Sequence, residues 1–325
     1  DLRYLGTYAK IFDRSVKRRQ RNWSEEVGYQ IADKICDLKK FSEICISLGS
    51  DGGHIIKHIS KLPMIIQEKI GIFIECDMSE ELIQKSSGVS EAKVPCFSVI
   101  ADEEQVPFKD GCADVVVSNL TGHWINDLSG WFHRCFAILR EDCPMIGAVL
   151  AGDTLQELRI SLQLAESERL GGVGAHISPF LFPADVGSLM HRAGFKMITL
   201  DSDRIEVVFN RNVQVFFLFL VGYPNIFALM YDLQSMGESN ASKHRMCHIR
   251  RDILIAADAI YKTMFSGKKR GYPATFHVIS FIGWKPGPTL PEPVKRGSQK
   301  FSFKDLSRIV SGEIVLPNSD DAKLN

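Results

Sequence analysis

Between about residues 44 and 152, short runs of apolar and β-branched residues alternate with stretches of helical spacing. "ICISL", "IGIFIEC", "CFSVIA", "ADVVVSN" and "PMIGAVLAG" are almost continuously apolar, which predicts five strands covered on both faces. Helices fit between them. "SEELIQKSS", for example, opens on Ser79 as an N-cap and carries acidic residues in its first turn. The pattern predicts βαβ units, a mainly parallel sheet and ligands bound beyond the carboxyl ends of the strands.

"GDTLQELRISLQLAESERLGG" reads as a helix with Leu155, Leu158, Leu162 and Ala165 on one face and Gly171 and Gly172 at its end. Thr154 and Glu157 have the T-x-x-E spacing of a capping box. "FPADVGSLMHRAGF" predicts another helix leading into the strand "KMITLDSDRIEVVF", and "PATFHVISFIGWK" predicts a strand that pairs with it antiparallel. The sheet then has seven strands. Residues 210–270 become a helix-rich insertion placed to act as a lid. Within it, the apolar run "VQVFFLFLV" (213–221) reads either as a buried strand or as a foreign segment such as translated intron, because its flanks would join smoothly without it. The organisation expected is an N-terminal helical segment (1–43), a main domain (44–285) and a Pro-rich, largely disordered tail (286–325).

A chain of 325 residues with 45% hydrophobic content buries a substantial core. Lys plus Arg equals Asp plus Glu at 39 each, so no global field draws it to nucleic acid or to an anionic membrane. The basic cluster Arg14, Lys17, Arg18, Arg19 and Arg21 is either a solvated helix face or a contact for an acidic partner. Eight cysteines without a C-x-x-C pair are expected to be structural thiols in a reducing compartment. No apolar run reaches the ~18 residues of a membrane span, so at most peripheral membrane association is expected. The sequence starts at Asp1 without an initiator methionine, which is compatible with a targeting peptide removed or never included, and localisation is not read from this end.

The candidate chemistry starts at "SLGSDGG", residues 47–53, where Gly49 and Gly53 follow the first strand. Alone, this is either a cofactor loop or an ordinary tight turn. Asp77 closes the second strand, where a carboxylate either takes both hydroxyls of a ribose or caps the next helix. After the third strand comes "ADEEQVPFKDGCADVVVS", in which Asp102, Pro107, Phe108 and Asp114 form the acidic strand end, Pro-Phe turn and D-V-V strand found in class I methyltransferases. Ser118 on the fourth strand completes the cofactor-side candidates. "HRMCH" at 244–248 offers two histidines at i and i+4 without an evident third ligand, so no metal site is expected.

"IFDRSVKRRQRNW", "ADEEQVPF", "HWINDL", "GDTLQELRISLQLAESE", "HISPF", "DLQSMGESN" and "YPATF" followed by "IGWK" occur in order along the chain. With these motifs it resembles the mitochondrial complex I assembly factor 5 family, methyltransferase-like proteins similar to the malonyl-carrier methyltransferases of biotin synthesis. The resemblance implies a class I S-adenosylmethionine-dependent methyltransferase fold and a location on the matrix side of the inner membrane. It also implies hydroxylation of an arginine on a core complex I subunit, with other assembly factors as partners.

Cofactor roles carry over to Gly49, Gly53, Asp77 and Asp102, while Ser47, Ser50 and Asp51 depart from the family's "D-L-G-C-G-R-G". A carboxylate at Asp51 would face the carboxylate of the cofactor's methionine part, so S-adenosylmethionine is expected to bind weakly. On the substrate side stand His123, Trp124, Asp153, Arg159 and the "GESN" of Gly237 to Asn240, with Asp153, Glu157 and Glu238 as acidic partners for a guanidinium. No H-x-D/E iron arrangement and no electron source is evident. Two other readings remain open: a methyltransferase acting on a carboxylate or carrier-bound acid, and a non-catalytic assembly chaperone.

Overall fold

The structure is a computed structural model, and it describes residues 21–50, 52–87, 93–207, 222–223, 225–238, 248–265 and 272–291. Asp51, the 213–221 run, the basic cluster before Arg21, residues 239–247 (most of "HRMCH") and nearly all of the Pro-rich tail lie outside them.

In chain order the elements are α1 (Arg21–Cys36), β1 (Ser42–Leu48), α2 (His54–Ile59), α3 (Met64–Gln67), β2 (Ile70–Asp77), α4 (Glu80–Ser87) and β3 (Cys96–Ile100). Then follow β4 (Val115–Asn119), α5 (Leu128–Ile138), β5 (Pro144–Leu150), α6 (Gln156–Leu170), α7 (Pro183–Ala193) and β6 (Lys196–Val207). The two-residue β7 (Gly222–Tyr223), α8 (Ile226–Met236), α9 (Arg251–Met264) and β8 (Tyr272–Trp284) complete the set. The sheet runs β3-β2-β1-β4-β5-β8-β6, with β7 paired to β8. β3, β2, β1, β4 and β5 are mutually parallel, and β8 is antiparallel to both β5 and β6. This is the class I methyltransferase fold.

Why these runs became strands is visible in their burial. All five residues of β4 and all seven of β5 are buried, as strands roofed on both faces require. One layer holds α1, α2, α6, α8 and α9, through residues such as Ile31, Ile56, Leu158, Leu229 and Tyr261. The other holds α5 and α7, through Trp131, Phe132, Val186 and Met190. At the β5–β8 seam Gly147 stands opposite Phe281, and a Cβ there would come within 2.5 Å of the ring. Only glycine lets the ring lie on the β5 backbone.

The two described helices of the insertion, α8 and α9, pack into the same layer as α6. Tyr261 is fully buried, and its hydroxyl donates to the Pro273 carbonyl at the start of β8. Among the described residues no helix is long and apolar enough to cross a membrane.

The start of α6 corrects one expectation. Thr154 and Glu157 form no capping box: the N-cap is Leu155, in the left-handed region at φ 54°, with no side-chain cap. The Thr154 hydroxyl instead bonds the backbone of His277 at 3.1 Å. The Glu157 carboxylate accepts from the Thr275 N–H at 3.3 Å and from its hydroxyl. A tertiary tie to β8 won over local capping. The predicted face of α6 does form, since Leu155, Leu158, Leu162 and Ala165 are all buried.

Candidate functional site

Polar side chains gather where the parallel strands end, and they fall into two halves. The first is the turn between β1 and α2. Gly49, Gly52 and Gly53 have φ of 80°, 79° and 78°, a conformation that a side chain would strain. At Gly49 there is also no space, because a Cβ would lie 1.8 Å from Thr121 Oγ1 in the loop after β4. At Gly52 there is space, the nearest atom to such a Cβ being a Leu82 methyl 4.0 Å away.

Asp77 fixes the shape of this turn. Its Oδ2 accepts from the Ser50 N–H at 2.9 Å and from the Ser50 hydroxyl at 3.0 Å, while Oδ1 accepts from the Ser79 N–H at 2.9 Å. Ser79 behaves as expected for a cap, its hydroxyl accepting from the Leu82 N–H at 3.4 Å. Ser47, the residue that departs from the family acid, stands in register with Glu75 of β2, and both are 1% exposed. A buried carboxylate therefore lies beside Ser47, one strand away.

The β3 end adds three acids. Asp102 Oδ1 caps the following turn through the Glu104 N–H at 2.8 Å. Glu103, buried, accepts from the Met78 N–H at 3.0 Å. Glu104 reaches the loop after β4 through the Asn126 and Asp127 N–H groups, at 3.3 and 3.0 Å. The negative charge is felt locally: burial first, then Glu103, Asp77 and Asp102, push the Cys76 thiol up to about 12. Such a strand end suits a cofactor carrying positive charge. Asp114 is elsewhere, at the opposite end of β4, where it accepts from the Ile44 N–H at 3.0 Å and pairs with Arg140 at 3.0 Å.

Ser118 is fully buried, on the same face of β4 as Val116, in the layer of α5 and α7. Asn119 lies on the opposite face, and its amide donates to the Ser24 carbonyl of α1 at 3.4 Å.

The second half is built from imidazole–carboxylate pairs. His123 sits in the short turn Gly122–Trp124 after β4, its Nε2 3.0 Å from Oε1 of Glu238, which follows α8. The His123 ring lies 5.6 Å from that of Trp124 and 5.7 Å from that of Phe180. Asp153, just beyond β5, comes within 3.5 Å of His277 Nδ1, and His277 Nε2 lies 2.7 Å from the Ser202 hydroxyl. Arg159 folds back over the same turn, donating to the Gly152 and Thr154 carbonyls at 3.4 and 3.5 Å. Glu166, fully buried on α6, accepts from the Gly174 N–H and from His176, both at 2.5 Å.

The structure thus joins Asp153 with Arg159 at one turn and His123 with Glu238 at another, while Glu157 is spent on Thr275. Sequence reasoning assigned no role to His277, Glu166 or His176. "HISPF" and the strand "PATFHV" contained two of them, but their partners lie on other elements. Among the described residues, no group of three or more His, Cys, Asp or Glu is placed to hold a metal ion.

A methyltransferase-domain family model matches residues 47–146, the span from the glycine turn to β5. A mitochondrial human protein named arginine-hydroxylase NDUFAF5 is 41% identical over 312 residues, covering 92% of this chain and 84% of its own. The chain belongs to the NDUFAF5 family. Its Dictyostelium discoideum member is 32% identical over 94% of this chain and 73% of its own. More distantly, a malonyl-[acyl-carrier protein] O-methyltransferase of Nitrosospira multiformis is 29% identical over 58% of this chain and 55% of its own. Among solved structures, the YcgJ protein of Bacillus subtilis superposes with a TM-score of 0.51 at 11% identity, covering 80% of this chain and 99% of that one. That likeness concerns the fold. Membership in a methyltransferase-like family implies S-adenosylmethionine as the cofactor, and the left-handed turn beside acidic strand ends fits it.

Proposed function

We propose that this chain is a mitochondrial complex I assembly factor that hydroxylates an arginine of a core subunit, working on the matrix side of the inner membrane alongside other assembly factors. The observation that carries the reading is 41% identity across nearly the full length to a relative named as a mitochondrial arginine hydroxylase. In this reading Gly49, Gly53, Asp77 and Asp102 hold the adenosyl cofactor, while His123, Asp153 and Arg159 face the substrate. Mass spectrometry of complex I subunits from a null strain should lack a hydroxylated arginine that wild type carries. An unchanged set of peptides refutes the activity.

Cofactor affinity is expected to be low, because Asp51 replaces a glycine of the family pattern and adds a carboxylate near that of the cofactor. The cost is about 1–3 kcal/mol, or roughly ten- to a hundredfold in affinity. Calorimetry with S-adenosylmethionine should show tighter binding by Asp51→Gly and weaker binding by Asp102→Ala. Tight wild-type binding that Asp51→Gly leaves alone counts against this account of the turn.

Arg159 supports a second reading. Among the described residues it donates to two backbone carbonyls at 3.4–3.5 Å, a weak hold that leaves the guanidinium able to pair with a substrate carboxylate. A carboxylate is already nucleophilic and needs no base for methylation. Transfer of labelled methyl to a malonyl carrier protein would favour this reading. Its absence in a protein that restores complex I assembly would dismiss it.

A further inference from the structure

His123 Nδ1 is buried and bonded to nothing among the described residues, although the ring's other nitrogen is held by Glu238. The His123 side chain is 2% exposed and that of Glu238 9%. A buried polar atom left without a partner is destabilising, and a ligand that bonds it removes that cost. The carboxylate decides which kind of ligand. In a neutral imidazole an oxygen acceptor at Nε2 holds the proton there and leaves Nδ1 as the accepting atom, and the ring lies 5.6 and 5.7 Å from those of Trp124 and Phe180.

We propose that His123 Nδ1, flanked by Trp124 and Phe180 and oriented by Glu238, is the acceptor for the guanidinium of a peptide arginine. The inference rests on the functional reading above and assigns its substrate subsite. A guanidinium supplies N–H donors in a plane, and it stacks favourably on aromatic faces. Glu238 adds the opposite charge at the far side of the imidazole. Glu238 is a positioning residue: it holds the tautomer, and His123 makes the contact. Two of the walls lie outside the sheet, since Glu238 follows α8 of the insertion and Phe180 belongs to the connection between α6 and α7.

The test uses the full chain with 15N-labelled histidine and the probe N-acetyl-arginine-N-methylamide, with free arginine and the matching citrulline compound as controls. Nitrogen NMR should report His123 Nδ1 as unprotonated, and the arginine probe should shift it while the citrulline compound does not. His123→Phe should weaken probe binding about tenfold or more, with S-adenosylmethionine affinity within about twofold of wild type. Glu238→Ala should move the Nδ1 signal toward the protonated tautomer, and Glu238→Gln, whose amide oxygen still accepts, should restore it.

A protonated Nδ1 in wild type, or probe binding undisturbed by His123→Phe, overturns the assignment. A response to free arginine alone overturns the peptide part of it. The null-strain mass spectrum judges the functional reading independently, so hydroxylation that persists in His123→Phe with normal probe binding sinks the subsite and spares the function.

Discussion

The two halves of the strand-end surface are built by different means. On the β1–β2–β3 side, the turn from Gly49 to Gly53 is shaped by its own backbone and by one carboxylate, Asp77, that takes three hydrogen bonds from residues within a few positions of it or of the turn. On the β4–β5–β8 side, shape comes from side-chain pairs between remote elements: His123 with Glu238, Asp153 with His277, and Glu157 with Thr275. A half made of backbone geometry tolerates few substitutions but is the same in any context. A half made of remote pairs forms only when the insertion and the last strand are in place, and it can be retuned one pair at a time.

That contrast can be broken most sharply at Gly49. Gly49→Ala meets both a left-handed φ of 80° and a 1.8 Å clash with Thr121. It should lower stability by about 3 kcal/mol or more and abolish measurable S-adenosylmethionine binding. Denaturant melts and calorimetry check this, and a mutant with near-wild-type binding would show that the turn is softer than its geometry. Glu166→Ala is next. Removing a fully buried carboxylate leaves His176 and the Gly174 N–H without their partner, so a loss of about 2–4 kcal/mol is expected in thermal or urea unfolding. Cofactor affinity should stay near wild type, because Glu166 belongs to the other half. The smallest effect belongs to Glu43→Gln at the far end of the sheet. Glu43 is 63% exposed, and its ion pair with Arg140 should be worth under about 0.5 kcal/mol in a chemical melt.

How legible each half was in the sequence follows from the same contrast. The βαβ rhythm, the glycine turn, the Ser79 cap and the place of Asp77 at the end of its strand were readable because their cues are local: strand-length apolar runs, glycine, and an acid at a strand end. The order of β8 and β6 was half readable. Their antiparallel pairing follows from the pattern, whereas the insertion of β8 between β5 and β6 does not. The capping box at Thr154 and Glu157 failed for a physical reason. Both side chains found partners on β8, more than a hundred residues away, and no window of helix-start spacing contains that competitor. His277 and Glu166 were invisible in the same way, since a histidine in a strand or a glutamate on a helix acquires meaning only from what packs against it.

β8 also governs when the molecule can be finished. Val278 pairs with Leu150 and with Asp203, so one late strand fills the gap between two that precede it by long stretches of chain. Until residues 272–284 are available, β5 and β6 each present an open edge, and the start of α6 lacks the Thr275 and His277 contacts that fix it. Long-range closure of this kind is slow, and exposed edges invite pairing with other chains in the meantime. A polypeptide cut short before Tyr272 would therefore carry an intact glycine turn on a sheet that cannot close, and would be removed or aggregate rather than persist as a half-active protein. The last strand acts as a completeness check on the whole chain.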